Sequence, residues 1–241
     1  NMKIKSIFIL LLLSWTTSHL NAEIFTYPIE EVEVLEIVGG IELYLLCGTD
    51  ASLRVTAHAE DNFTFSQIDK TLKIASRQEG FWGLFSSGLE TISVEMNAIR
   101  PPETITVSAG SEIGVSNCYS EDEANLDLVV KAGSLFTIEG NAGSIDQLDI
   151  NLSSGSQIEI ADTFHINHLN LEASSGADLE ASKSVLINTA YVSISSGASA
   201  ELCGALAISG KASSGGEVDV SETTKLTDIR TNSGGSIEPN C

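Results

Sequence analysis

The 241 residues carry 33 Asp and Glu against 12 Lys and Arg, a formal net charge of −21 at pH 7. Such a surface repels nucleic acid and anionic lipid, so phosphate-backbone binding is excluded as a role. With 42% hydrophobic residues, only 6% aromatic and 20 Gly, the composition suits a thin, repetitive all-β core rather than a thick layered one.

The chain opens on a targeting segment. Lys3 and Lys5 precede the unbroken apolar run from Ile7 to Leu13, and a polar stretch then ends at Ala22. This reads as a secretory signal peptide of bacterial type over residues 1–22, too short in its apolar part to span a bilayer. The leader holds two of the 12 Lys and Arg and none of the 33 acids, which leaves the mature chain at −23. Export places the protein in the periplasm, on the outer surface or in the medium. Four cysteines (Cys47, Cys118, Cys203 and Cys241) in an exported chain favour disulfides, and no C-x-x-C pair argues for a metal.

Residues 23–103 are irregular. Gly39-Gly40 is followed by an alternating run like one coil of a repeat, and 52–57, 71–75 and 91–96 alternate like strands. This part is expected to form the first coils and a β cap, since terminal repeats are atypical. The run Phe81, Trp82, Leu84 and Phe85 is the one aromatic cluster in sequence after the leader. It reads either as a cover for the open end of the stack or as a partner-binding patch.

Residues 104–241 are a repeat. Small-residue triplets end in Gly110, Gly133, Gly155, Gly176, Gly197, Gly215 and Gly234, at intervals of 23, 22, 21, 21, 18 and 19 residues. Apolar residues fall three and five positions after each Gly, as in Ile158/Ile160 and Val218/Val220, and mostly five and three before it. Strand, tight corner, strand and a short third segment recur together. A unit this short cannot bury its own apolar face, so it must stack on copies of itself. The fold predicted is a right-handed parallel β-helix, a β-solenoid of 18–23-residue coils. A β-sandwich of hairpins would explain the strands but not the identical corners.

The run VEVLEIVGGIELYL at 32–45, then LRVTA at 53–57, LKI at 72–74 and the serial Ser-Ser-Gly corners together resemble the auto-transporter adhesin head GIN domain family. The resemblance covers roughly residues 30–240. It implies an exported β-helical domain with no catalytic residues to transfer. Adhesion is the label that the family bears.

Four positions after the corner Gly stand Glu159, Glu180, Glu201, Asp219 and Glu238, each between two inward apolar residues. In an aligned stack they form an outward column of carboxylates. One reading is a solvated face that discourages sheet-to-sheet aggregation. The other is a site for Ca²⁺, which takes several oxygen ligands, bridging between rungs. Register also places Cys47 and Cys118 eight positions after Gly39 and Gly110, so they bridge if those coils are neighbours. Cys203 and Cys241, two coils apart, meet only if the tail folds back. His165 and His168, three apart in a strand, are expected on opposite faces and so not to share a metal.

The expected function is a non-enzymatic binding module or adhesin with a protein or glycan partner. No cofactor is required beyond the candidate Ca²⁺. The alternatives are a carbohydrate-active enzyme, lyase or hydrolase, on the same scaffold, and a structural spacer. Concave grouping of acids with Arg or Lys would favour the enzyme. Flat, uniformly acidic faces would favour the binding module.

Overall fold

A computed structural model describes residues 22–77, 92–119, 124–139, 143–161 and 163–241. The leader through residue 21 and the aromatic run Phe81, Trp82, Leu84 and Phe85 lie outside the described residues. In chain order the strands begin β1 (Glu23–Tyr27), β2 (Val34–Val38), β3 (Ile41–Cys47), β4 (Ser52–Ala57), β5 (Phe63–Ile68), β6 (Thr71–Ser76) and β7 (Ile92–Ala98). They continue with β8 (Thr104–Ser108), β9 (Glu112–Ser116), β10 (Asn125–Lys131), β11 (Leu135–Glu139), β12 (Gly143–Ser153), β13 (Gln157–Ile160) and β14 (Phe164–Ser174). The last are β15 (Asp178–Ala181), β16 (Leu186–Ile194), β17 (Ser199–Leu202), β18 (Ala207–Ser213), β19 (Glu217–Val220), β20 (Lys225–Asn232) and β21 (Ser236–Glu238).

These strands form a β-solenoid of two facing sheets. Sheet I runs β1-β4-β7-β3-β9-β11-β13-β15-β17-β19-β21, and sheet II runs β20-β18-β16-β14-β12-β10-β8-β2-β6-β5. From β8 onward each coil gives one strand to sheet II, turns the corner, and gives the next strand to sheet I. All of these pairings are parallel, and the register slips only at the β18–β20 pair, between Ile208 and Gly210.

The corner explains the triplets. Ser175 and Gly176 both take positive φ, 58° and 68°, and the same pair of left-handed residues recurs at every corner from Ala109-Gly110 to Ser233-Gly234. A Cβ built on Gly176 meets nothing within 4 Å, so backbone conformation and not space selects glycine there. The Gly176 N–H donates to the Ser196 carbonyl on the next coil at 3.1 Å, and Gly133 and Gly155 make the same bond to Ser154 and Ser175. Each corner is thereby tied to its neighbour. Inside the turn, Ser111 and Ser134 are buried and donate their hydroxyls at 2.9 Å to the carbonyls three residues back. A buried hydroxyl so satisfied costs little.

The core is a column of inward aliphatics, among them Leu35, Ile37, Leu43, Leu45, Ile105 and Ile113, all at most 1% exposed. Toward the C-terminus the inward residues shrink to Ala173, Ala200 and Ala212 as the coils shorten. At Gly210, where φ is 129°, a Cβ would lie 2.0 Å from the Val192 carbonyl oxygen of the paired strand, so that position has no room for a side chain.

The N-terminal part departs from simple winding. β2 and β3 form one coil around Gly39-Gly40, but it is not the last of the stack. β6 and β7 lie on its outer side and β8 and β9 on its inner side. The chain therefore lays down one coil, crosses outside it, and returns through Pro101-Pro102 to continue inward. β4 and β1 then add antiparallel beyond β7, and β5 adds antiparallel beyond β6. Phe25, Tyr27, Phe63 and Phe65 from β1 and β5 pack together across this end, with the Tyr27 and Phe65 rings stacked at 4.8 Å. They close the core where the parallel repeat stops.

Cys47 is bonded to Cys118 and Cys203 to Cys241. The first bridge joins adjacent coils, as β3 beside β9 requires. The second needs the tail to fold back, and it does: the Cys241 N–H donates to the Val220 carbonyl at 3.3 Å, and the Lys183 Nζ donates to the Cys241 carbonyl at 3.0 Å.

Candidate binding faces

The outer face of sheet I is built by residues two, four and six positions after each corner. Register places Thr137, Glu159, Glu180, Glu201, Asp219 and Glu238 directly opposite one another on successive strands. The column expected from spacing is therefore one straight row. Beside it run Gln157, Asp178, Ser199 and Glu217. Local hydrogen bonds hold some of these acids in place. Gln157 Nε2 donates to Glu159 at 3.0 Å, Ser199 Oγ to Asp178 at 2.5 Å, and Asn240 Nδ2 to Asp219 at 2.9 Å. The crowding has an electrostatic effect. Partial desolvation, then the negative charges of Asp178 and Glu159, hold the Glu180 carboxyl above the usual carboxylate range.

Glu201 also lies beside Cys203 and Cys241, with donor atoms within 4.8 Å of one another. Both sulfurs are consumed by the disulfide, so this group has no thiolate to offer a metal.

Toward the N-terminal end the same face has a dent of about 150 Å³. Gly114 supplies its floor, and the Tyr44 ring leans over it, so that a methyl group there would touch Tyr44 Cδ1 at 3.6 Å. Glu42, Glu112 and Glu139 surround the dent.

The two faces differ in charge, which spacing alone had not disclosed. The described strands of sheet I carry twelve Asp and Glu and a single basic residue, Arg54, which pairs with Glu95 at 2.9 Å. Those of sheet II carry six acids and five Lys or Arg. A tally of charge before and after each corner Gly would have found this, because the corner decides which sheet a residue joins.

Sheet II presents a shallow polar trough of about 300 Å³ across β12, β14, β16 and β18. One row is Gln147, His168 and Thr189, and the next is Asp149, Asn170, Tyr191 and Ser209. Gln147 Nε2 donates to Asp149 at 2.7 Å, and His168 Nδ1 lies 2.9 Å from Thr189 Oγ1. Tyr191 is 49% exposed.

The strand bends beside this trough. Asn188 Nδ2 donates to Asn167 Oδ1 at 2.7 Å, and Asn167 Nδ2 donates to Asp146 Oδ1 at 3.0 Å, a ladder of side-chain bonds along the kink. The kink corrects the reading of the histidines. Ile166 and Leu169, three apart, are both inward, so His165 and His168 both alternate with inward residues on successive segments instead of occupying opposite faces. Among the described residues they form no metal-ligating group.

Solved structures share this architecture. A putative adhesin of Bacteroides fragilis superposes with a TM-score of 0.70 at 10% identity, covering 90% of this chain and 96% of the other. A putative adhesin of Parabacteroides merdae gives 0.68 at 10% identity, with 90% and 95% covered. A putative lipid binding protein of Parabacteroides distasonis gives 0.64 at 13% identity, with 90% and 96% covered. At these identities the likeness establishes the fold alone. Comparison with curated proteins found no similar sequence. The family whose sequence model matches residues 32–224 is the putative auto-transporter adhesin, head GIN domain, and the chain belongs to it.

Proposed function

We propose that this chain is an exported binding module that adheres through the outer faces of its solenoid and does no chemistry on its partner. The family and its neighbours, adhesins and a lipid-binding protein, support a binding role. The observation that carries the reading is the separation of charge. A lyase or hydrolase site needs acids and bases converging in a cleft. The acids of sheet I instead run in rows along its outer face, and the single arginine of its described strands, Arg54, is already paired with Glu95. A flat, rigid, two-faced rod suits attachment. The site of action is the periplasm or the outer surface, reached by the signal peptide at residues 1–22. Ca²⁺ held by Glu159, Glu180, Glu201, Asp219 and Glu238 belongs to the same proposal, as a way to neutralise the row when it meets a partner.

The reading is tested by incubating the protein with isolated cell-surface material and with neutral and acidic polysaccharides. Retention and chemical change are followed in the same samples. Retention with no new reducing ends and no unsaturated products is expected. Time-dependent product release that is lost on acid-to-amide substitution in sheet I would overturn it.

A further inference from the structure

From the trough on sheet II we infer a binding site for a neutral polysaccharide chain, laid along the stack with Tyr191 as its stacking platform. This rests on reading the chain as a binding module and names the chemistry of the partner. On a protein of net charge −21, sheet II is nearly balanced, and only one carboxylate, Asp149, lines the trough. An anionic chain is repelled by the protein as a whole. A strongly basic partner gains more on sheet I. A divalent cation finds only Asp149, which already accepts from Gln147. A lipid chain finds no apolar depth within the trough, because Leu169 and Ala190 point inward and, of the residues lining it, only Tyr191 exposes an apolar surface.

What remains matches a sugar. A pyranose offers an apolar C–H face to an aromatic ring and a rim of hydroxyls that both donate and accept. Tyr191 supplies the ring. Asn170 stands beside it on the neighbouring coil, with Ser209 on the other side. Among the described residues, neither the Asn170 amide nor the Tyr191 hydroxyl is engaged, so both keep their hydrogen-bonding capacity for a partner. His168 is exposed and held through Nδ1 against Thr189, which leaves Nε2 unengaged among the described residues. These groups repeat from rung to rung at the ~4.8 Å strand spacing, so a linear polymer meets a fresh row of polar groups along its length. A short oligosaccharide would bind weakly and a long chain better, by serial contacts.

The test titrates the oxidised protein with cellohexaose, chitohexaose and mannohexaose, and with a galacturonic acid oligomer of the same length. It uses calorimetry and amide chemical shifts. At least one neutral hexasaccharide is expected to bind and to move the amides of Asn170, Thr189 and Tyr191. Tyr191→Ala should lower its affinity about tenfold, Tyr191→Phe should keep most of it, and Ile24→Ala, at an exposed position of the opposite sheet, should leave it unchanged. Melting curves of the variants confirm that each is folded. The inference is overturned if none of the three binds, if binding survives Tyr191→Ala, or if only the galacturonic acid oligomer binds. Protein-coated beads that still attach to cell surfaces in those cases would sink the polysaccharide assignment alone. Loss of both would sink the binding-module reading with it.

Discussion

Replacing Glu180 by Gln should make the protein more stable at neutral pH. Glu180 sits in register between Glu159 and Glu201. Adjacent strands place such carboxylates roughly 5 Å apart. In a solvent-facing dielectric of about 40–80 each contact costs about 0.8–1.7 kcal/mol, and physiological salt reduces this to about half. Two neighbours, with side chains free to splay, leave a net gain of about 1 kcal/mol on neutralisation. For a domain of this size that is about 2–4 °C in melting temperature. The sign with pH follows from the raised Glu180 pKa. Where the folded carboxyl holds its proton and the unfolded one has lost it, the native state binds more protons. Stability therefore falls as pH rises through the carboxylate range, and Glu180→Gln should flatten that slope. The assay is a thermal melt at low and high salt, at neutral and mildly acidic pH. A gain that appears at low salt and fades at about 1 M, where the Debye length is ~3 Å, supports the reasoning. An unchanged or lowered melting temperature at low salt refutes it.

Further outcomes can be checked in the same format. Millimolar Ca²⁺ should raise the melting temperature over that in chelator, by an amount equivalent to about 2.7 kcal/mol at a hundredfold excess over Kd, and Glu180→Gln with Glu201→Gln should remove the rise. No rise in the wild type would leave the row as a charged surface only. Gly176→Ala should cost about 1 kcal/mol through its φ of 68°, while Ser175→Gly should be neutral or stabilising, as denaturant midpoints would show. Replacing Cys47 and Cys118 by Ser opens a loop of 71 residues and should cost on the order of 4 kcal/mol by equilibrium unfolding. Phe136→Ala, at the largest fully buried side chain among the described residues, should cost about 3–5 kcal/mol by the same measurement.

Much of this was legible in the sequence because the repeat repeats its chemistry. A left-handed corner favours glycine, so Gly110 through Gly234 mark each coil from β8 onward, and a fixed offset from them locates the row from Glu159 to Glu238. The N-terminal order was hidden. β6 and β7 read from the sequence only as two separate alternating runs, and nothing in their residues shows that they lie outside β2 and β3. The aromatic closure was hidden for a related reason. Phe25 and Tyr27 stand far in sequence from Phe63 and Phe65, and only the antiparallel strands bring them together. The alternation of single aromatics in β1 and β5 was the available signal. The histidine placement failed at one residue, Asn167, where the kink breaks the period of two. The trough depends on four coils each contributing one or two polar residues. No local motif exists there, only a row.

The most direct test of the account is attachment of protein-coated beads to the surfaces of the producing cells and of their neighbours, with each face altered in turn. One variant carries Glu159→Gln, Glu180→Gln and Glu201→Gln on sheet I, and the other Tyr191→Ala on sheet II. The account predicts attachment by the unaltered protein and a marked loss with at least one of the two variants, both remaining folded. Attachment that neither variant reduces, or no attachment by the unaltered protein to any of these surfaces, would contradict it.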